Sequence, residues 1–309
     1  MPTEPVRYVL DRPRALENVQ QFNEHVQPVL QEVVNYSARA LLRCMRSTPP
    51  NSTPDVHVVH FALFRQIIEL ADAVEILLSH ACVAPSKPLL RSMFEAMLSL
   101  QYQLEDEASE TRRTLSWVHA DVYQRRRSSE RIRDRELTDR ILEGMPDDAL
   151  KDTERHIQAM TAFLNKPHMK EVVDAYAAHS HRRPRWYSLF GGPQTLRDLA
   201  KHLGWLDFYD IKYREWSTML HAQGPLQEVM RPAGKKQVSM RGLRHPDDLY
   251  GVALFTLTFL LSAMATLTDR FRAGEARERE EWYKAEVRPA IDRLVHTRVT
   301  VEEETVGRW

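Results

Sequence analysis

Leu249 to Thr268 reads LYGVALFTLTFLLSAMATLT, twenty residues without a charge, and the reading of this stretch decides the fold. Twenty apolar residues are enough to span a bilayer, and a helix that is apolar all round is either a membrane span or the central helix of a bundle. Hydroxyl residues interrupt the run at Thr256, Thr258, Ser262, Thr266 and Thr268, and Gly251 lies near its start. Asp247 and Asp248 precede it, Asp269, Arg270 and Arg272 follow it, and the chain has no second stretch of this kind. The expectation is a core helix of a bundle, with a membrane role as the lesser alternative.

Composition supports that expectation. Glycine supplies 10 of 309 residues, about 3%, against a usual share of roughly 7%. Folds rich in tight turns or phosphate-cradling loops need more, which argues against a β-sandwich, a barrel or a dinucleotide-binding sheet. The 43 basic and 43 acidic residues cancel, which excludes a globally basic coat for nucleic acid but leaves room for a local patch. Cys44 and Cys82 are too few for a disulfide framework or a cysteine zinc site and fit a reducing compartment. The first twenty residues hold no apolar run of the signal-peptide kind, so the expected location is the cytoplasm.

Apolar spacings of three and four run through most of the chain. Residues 13–45 read as a long helix bent at Pro28, followed by the proline-rich loop Thr48–Pro54. Asp55 caps a helix whose apolar stripe is Val59, Leu63, Ile67, Leu70, Val74 and Leu77. Pro85 and Pro88 mark a break before LLRSMFEAMLSLQYQL (89–104), and 107–143 reads as one charged helix. Shorter helices are expected at 147–165, 168–180, 194–203 and 205–222, separated by the loop HSHRRPRWYSLFGGP (179–193). A loop over 223–245 leads to the apolar helix, and a charged helix near 275–297 precedes a short extended tail. The expected fold is an all-α bundle with peripheral helices. It divides into an N-terminal helix and proline-rich loop (1–54), a core (55–272) and a charged C-terminal helix and tail (273–309).

Metal chemistry finds little support in the residues. His57 and His60 are one turn apart without the carboxylate of an H-E-x-x-H arrangement, and His179, His181 and His202 are scattered. No metal and no cofactor is expected. Ser217 and His221 lack the glycine-flanked elbow of a hydrolase. In KYREWSTMLHA (212–222), however, Arg214 and His221 lie seven residues apart and so share a helical face, with Ser217 beside them. An imidazole that takes a 2′-hydroxyl proton and a guanidinium that holds the phosphate are sufficient for RNA cleavage without a metal. The spacing resembles the Arg-x4–6-His arrangement of HEPN-type ribonucleases. Arg112 and Arg113 with His119, and Arg197 with His202, fall within the same spacings, about as many matches as chance gives, so context must choose among them.

The context after His221 is basic. Residues 231–245 hold Arg231, Lys235, Lys236, Arg241 and Arg244 and no acid, which suits phosphate contacts or a solvated loop. Arg125–Arg127 reads as a solvated helix face, and HRRPRWY (181–187), which mixes basic and aromatic residues, reads first as an ordinary loop anchored by Trp186 and second as a surface suited to base stacking. Arg91 and Glu95 form an i,i+4 pair within an otherwise apolar helix, where charges are usually paired or face a polar cavity.

Three segments carry a family resemblance: LLRSMFEAMLSLQYQL, WYSLFGGPQTLRDLAKHLG and YDIKYREWSTMLHAQG. Their order resembles the domain-of-unknown-function family 5677, with its Arg-x3-Glu helix, its Trp followed by a short helix ending in Gly, and its Tyr-x3-Ser-x3-His signature. Here these are Arg91 and Glu95, Trp186 and Gly204, and Tyr213, Ser217 and His221. The resemblance covers roughly residues 55–270. It implies an all-α, HEPN-like bundle and a place among toxin or antiviral-defence genes, without an assigned reaction. The expected activity is metal-independent RNA cleavage by a homodimer, with His221 as base, Arg214 as phosphate ligand, and Arg91, Glu95 and Ser217 around them. The alternative is a non-catalytic module that binds a partner protein from the same gene cluster, in which these residues are structural. Under either reading Arg91 and Glu95 should lie within hydrogen-bonding reach of the Tyr213–His221 segment.

Overall fold

The computed structural model describes residues 12–47, 54–134, 147–179, 184–220, 229–230, 239–240, 243–296 and 306–308. Helices account for most of them. In chain order they are α1 (Arg12–Glu17), α2 (Gln20–His25), α3 (Gln27–Ser47), α4 (Pro54–Ser79), α5 (Val83–Leu104), α6 (Glu107–Arg133) and α7 (Asp147–Leu164). There follow α8 (Lys170–Ala178), α9 (Leu196–His202), α10 (Leu206–Phe208), α11 (Arg214–Leu220), α12 (Leu249–Phe271), α13 (Ala276–Trp282) and α14 (Arg288–His296). Three strands of two or three residues, β1 (Val229–Met230), β2 (Ser239–Met240) and β3 (Val306–Arg308), pair antiparallel in the order β1-β2-β3. The protein is an all-α bundle carrying a minimal ribbon where the sequence suggested only a loop and a tail. Two compact units emerge, one within Met1–Leu104 and Asp207–Trp309, the other within Glu105–Leu206.

In the first unit α12 packs against α3, α4 and α5. Its buried side chains include Leu257, Phe259, Leu260, Met264 and Leu267. The threonines are accommodated locally: Thr256, Thr258, Thr266 and Thr268 donate to the carbonyls of Val252, Leu254, Ser262 and Met264, four residues back, at 2.8–3.0 Å. Gln101 of α5 donates to Ser262 Oγ at 2.8 Å. Among the described residues α12 is the one helix long and apolar enough to cross a membrane, and 56% of its apolar window is buried. More than half of that window is thus covered inside the bundle, against α3, α4 and α5.

Prolines act differently from expectation. The N-terminal helix is three pieces rather than one bent rod, and Pro28 is the second residue of α3, where its missing N–H leaves no intrahelical bond unmade. Conversely, α5 starts at Val83 and runs through both Pro85 and Pro88. Pro85 lies in the first turn, and Pro88 is carried inside the helix. The turn before α5 includes Ala81 at φ 58°, a left-handed conformation that reverses the chain between α4 and α5 within three residues. The C-terminal helices lean on α3: Tyr36 and Trp282 stack with ring centres 3.7 Å apart, and Arg43 pairs with Glu275 at 3.1 Å.

The second unit is organised by α6, whose N-cap Asp106 accepts from the Ala108 N–H. Packed on it are α7, α8 and a 3-10 turn over Trp186–Gly191. A capping box between Thr195 and Asp198 opens α9. Gly204, at φ 80°, ends it in the left-handed conformation that a Cβ would penalise.

Candidate functional site

Arg91 and Glu95 lie one turn apart on α5, and α11 packs against that helix. The chain enters α11 through a π-turn, Tyr209–Tyr213, in which the Arg214 N–H donates to the Tyr209 carbonyl five residues back. Such widened turns recur at functional positions. Here the turn delivers Tyr213 onto α5. Arg91 Nε donates to the Tyr213 hydroxyl at 3.0 Å, that hydroxyl donates to Glu95 Oε1 at 2.6 Å, and Arg91 Nε also reaches Glu95 Oε1 at 3.1 Å. The guanidinium carbon lies 4.8 Å from the Tyr213 ring centre, so Arg91 also stacks on the ring whose hydroxyl it meets. Tyr209 stacks on the same ring at 4.8 Å, and Phe94 lies 5.7 Å from it.

Burial, and then the Glu95 carboxylate, push the Tyr213 phenol above its ordinary range, which fixes it as a neutral donor. Burial opposes the Arg91 charge, but the Tyr213 bond and the Glu95 carboxylate outweigh it and raise its pKa. Arg91 has 21% of its side chain exposed and Glu95 44%, so the cluster is a polar spot at the edge of the core with its carboxylate reachable from solvent.

The expected contact of Arg91 and Glu95 with the Tyr213 segment is therefore present, and its hub is Tyr213. Sequence reading named this tyrosine only as part of a signature. An aromatic hydroxyl one residue before Arg214, facing an apolar helix that carries an ion pair, was the available signal. Ser217 is less central: its hydroxyl donates to the Tyr213 carbonyl at 3.0 Å within its own helix. Arg214 is exposed at the first residue of α11. His221, Arg231, Lys235, Lys236 and Arg241 lie outside the described residues. Arg244 is described, and its Nη1 donates to the His80 carbonyl at 3.2 Å, where α4 ends.

The competing Arg/His pairs occupy the second unit and are engaged otherwise. Arg113 and His202, members of two different pairs, both meet Glu105 Oε2 at 2.9 Å. Arg112 lies 3.7 Å from Glu171 and over the Phe190 ring. His119 is buried, and burial with Arg126 nearby lowers its pKa to about 4, so it stays neutral. His57 and His60 pack against Phe271, and burial pushes His60 down to about 3. Among the described residues no group of three or more His, Cys, Asp or Glu side chains is arranged to hold a metal.

No curated protein and no solved structure matches the chain. A family model does: that of a family of unknown function (DUF5677), over residues 57–231. The matched span is more than half of the chain and takes in both helices of the Arg91–Glu95–Tyr213 cluster. The chain belongs to the DUF5677 family.

Proposed function

We propose that the protein cleaves RNA without a metal, using Arg214 and His221 on a segment that the Arg91–Glu95–Tyr213 cluster holds in place. The observation that carries this reading is the Tyr213 hydroxyl bonded to both Arg91 and Glu95, with Arg214 exposed as the next residue. A fixed backbone at Tyr213 gives the adjoining guanidinium a defined position, which catalysis by charge stabilisation requires. His221 follows α11 directly in the chain and is the base: its imidazole takes the 2′-hydroxyl proton. The 2′-oxygen then forms a bond to phosphorus while the bond to the 5′-oxygen breaks, and that leaving oxygen takes a proton from water. Arg214 meets the charge that builds on the phosphoryl oxygens. Arg91, Glu95 and Tyr213 are positioning residues, and the basic residues Arg231, Lys235, Lys236, Arg241 and Arg244 add phosphate contacts. The HEPN-like relationship rests on the Arg-x6-His spacing and fits an effector of a toxin or antiviral defence system.

A second reading has its own support. Arg91, Glu95 and Tyr213 satisfy one another, as a purely structural lock would, and the chain would then be a partner-binding module. The two readings separate on an RNA substrate and its 2′-O-methyl counterpart. Cleavage expects the first to be cut and the second to survive, with His221→Ala inactive and folded. If RNA stays intact, the lock reading stands instead; if the His221→Ala protein cuts at the wild-type rate, His221 is not the base.

A further inference from the structure

The second unit contains a cleft of about 960 Å³, within the range of small-molecule sites. It lies between α6, Tyr176 of α8 and Pro184–Trp186. Trp117, Tyr123, Tyr176 and Trp186 give it aromatic walls. Those walls are stiffened from behind. The buried His119 ring stacks near Tyr123, with centres 5.9 Å apart, and meets Tyr176 at 4.6 Å, and Tyr123 and Tyr176 meet at 5.3 Å.

Charge in the cleft is sorted. Arg127 and Arg131, one turn apart on α6, line it together with Arg185. Three carboxylates line it too, Asp121, Glu130 and Asp134. Each is held by an arginine that stands outside the lining: Arg125 at 2.6 Å, Arg126 at 3.4 Å and Arg133 at 2.7 Å. The acids thus have cationic partners outside the lining, and guanidiniums and carboxylates share the cavity wall with the aromatic rings. Two patches separate in the sequence, RRR at 125–127 and RPRWY at 183–187, come together here through Arg127, Arg185 and Trp186.

Flat aromatic walls beside guanidiniums select a ligand that is itself flat and anionic. We propose that this cleft binds a nucleotide, its base stacked on Trp186 or Trp117 and its phosphate held by Arg127, Arg131 and Arg185. The same chemistry is offered by a free mononucleotide and by one unit of a single strand. The proposal does not depend on cleavage at Arg214 and His221.

Calorimetric titration of the full-length protein tests it, with AMP, adenosine, inorganic phosphate and a 2′-O-methylated hexaribonucleotide that the proposed cleavage cannot consume. AMP or the hexamer should bind, with adenosine and phosphate each weaker by about tenfold or more, because each keeps only half of the recognition. Arg127→Gln with Arg131→Gln, both at exposed positions, should lower affinity about tenfold or more. The same change should flatten the hexamer's log–log salt slope by up to about 0.7, the share of one phosphate. Trp186→Phe should bind within about twofold of wild type while Trp186→Ala loses about tenfold. A hexamer far tighter than AMP assigns the cleft to a strand; equal affinities assign it to the free nucleotide. The proposal is overturned if neither binds at millimolar concentration, if adenosine binds as well as AMP, or if the double glutamine variant binds like wild type.

Discussion

The Tyr213 hydroxyl makes two hydrogen bonds to ionised partners, and both disappear in Tyr213→Phe while the aromatic packing is kept. Hydrogen bonds of this kind contribute about 1–3 kcal/mol. Because the Glu95 side chain is 44% exposed, solvent compensates part of the loss, and urea denaturation should show about 1–2 kcal/mol of destabilisation. If cleavage depends on positioning, the variant should cut RNA more slowly at a substrate-binding constant close to wild type. The buried histidines make a second prediction. His119 and His60 are held neutral, with folded pKa values of about 4 and about 3, below the ordinary value of about 6.5. Between those limits the unfolded chain binds more protons, so the stability they confer is complete above pH about 6.5 and is lost as pH falls toward 4. His119→Phe should flatten that decline, and a pH series of denaturation midpoints reads it. At this scale the sequence revealed the Arg91–Glu95 pair, because two charges in an apolar helix demand a partner. It did not reveal Tyr213 as that partner, since the π-turn that swings the tyrosine onto α5 leaves no mark in the apolar periodicity.

Among the elements, α12 carries the fold. Leu257 is fully buried, and α12 packs on three neighbours, so Leu257→Ala should cost about 2–5 kcal/mol, the range for deleting a buried leucine. Thermal unfolding followed by circular dichroism checks this. The apolar run of α12 and the presence of α4, α7 and α9 could be read in advance from the helical period, although of the α4 stripe only Leu63, Ile67 and Val74 are buried while Val59, Leu70 and Leu77 are partly exposed. Prolines misled in both directions. A proline is judged by its position in the first turn, and that position is set by where the helix begins, which packing decides: α3 starts just before Pro28, and α5 starts two residues before Pro85. The strands β1–β3 were unreadable for a different reason. Two or three residues are too few to show alternation.

The whole molecule comprises a unit built on α12 and one built on α6, and the first boundary falls where the apolar stretch 89–104 gives way to the charged run that begins at Glu105. Arg214 and His221 span seven residues, roughly 10.5 Å of rise if helical, which favours a site shared between two copies with the arginine of one and the histidine of the other. Mixing inactive Arg214→Ala and His221→Ala proteins should then restore about a quarter of the activity, since one site in four regains both groups; an active monomer would contradict the shared site. The central claim, that this is an RNA-cleaving protein whose base is His221, is tested most directly by mass spectrometry of a single oligoribonucleotide incubated with the protein in EDTA. The account predicts fragments ending in a 2′,3′-cyclic phosphate with wild type and none with His221→Ala. Intact RNA with both proteins, or the same fragments from both, would contradict it.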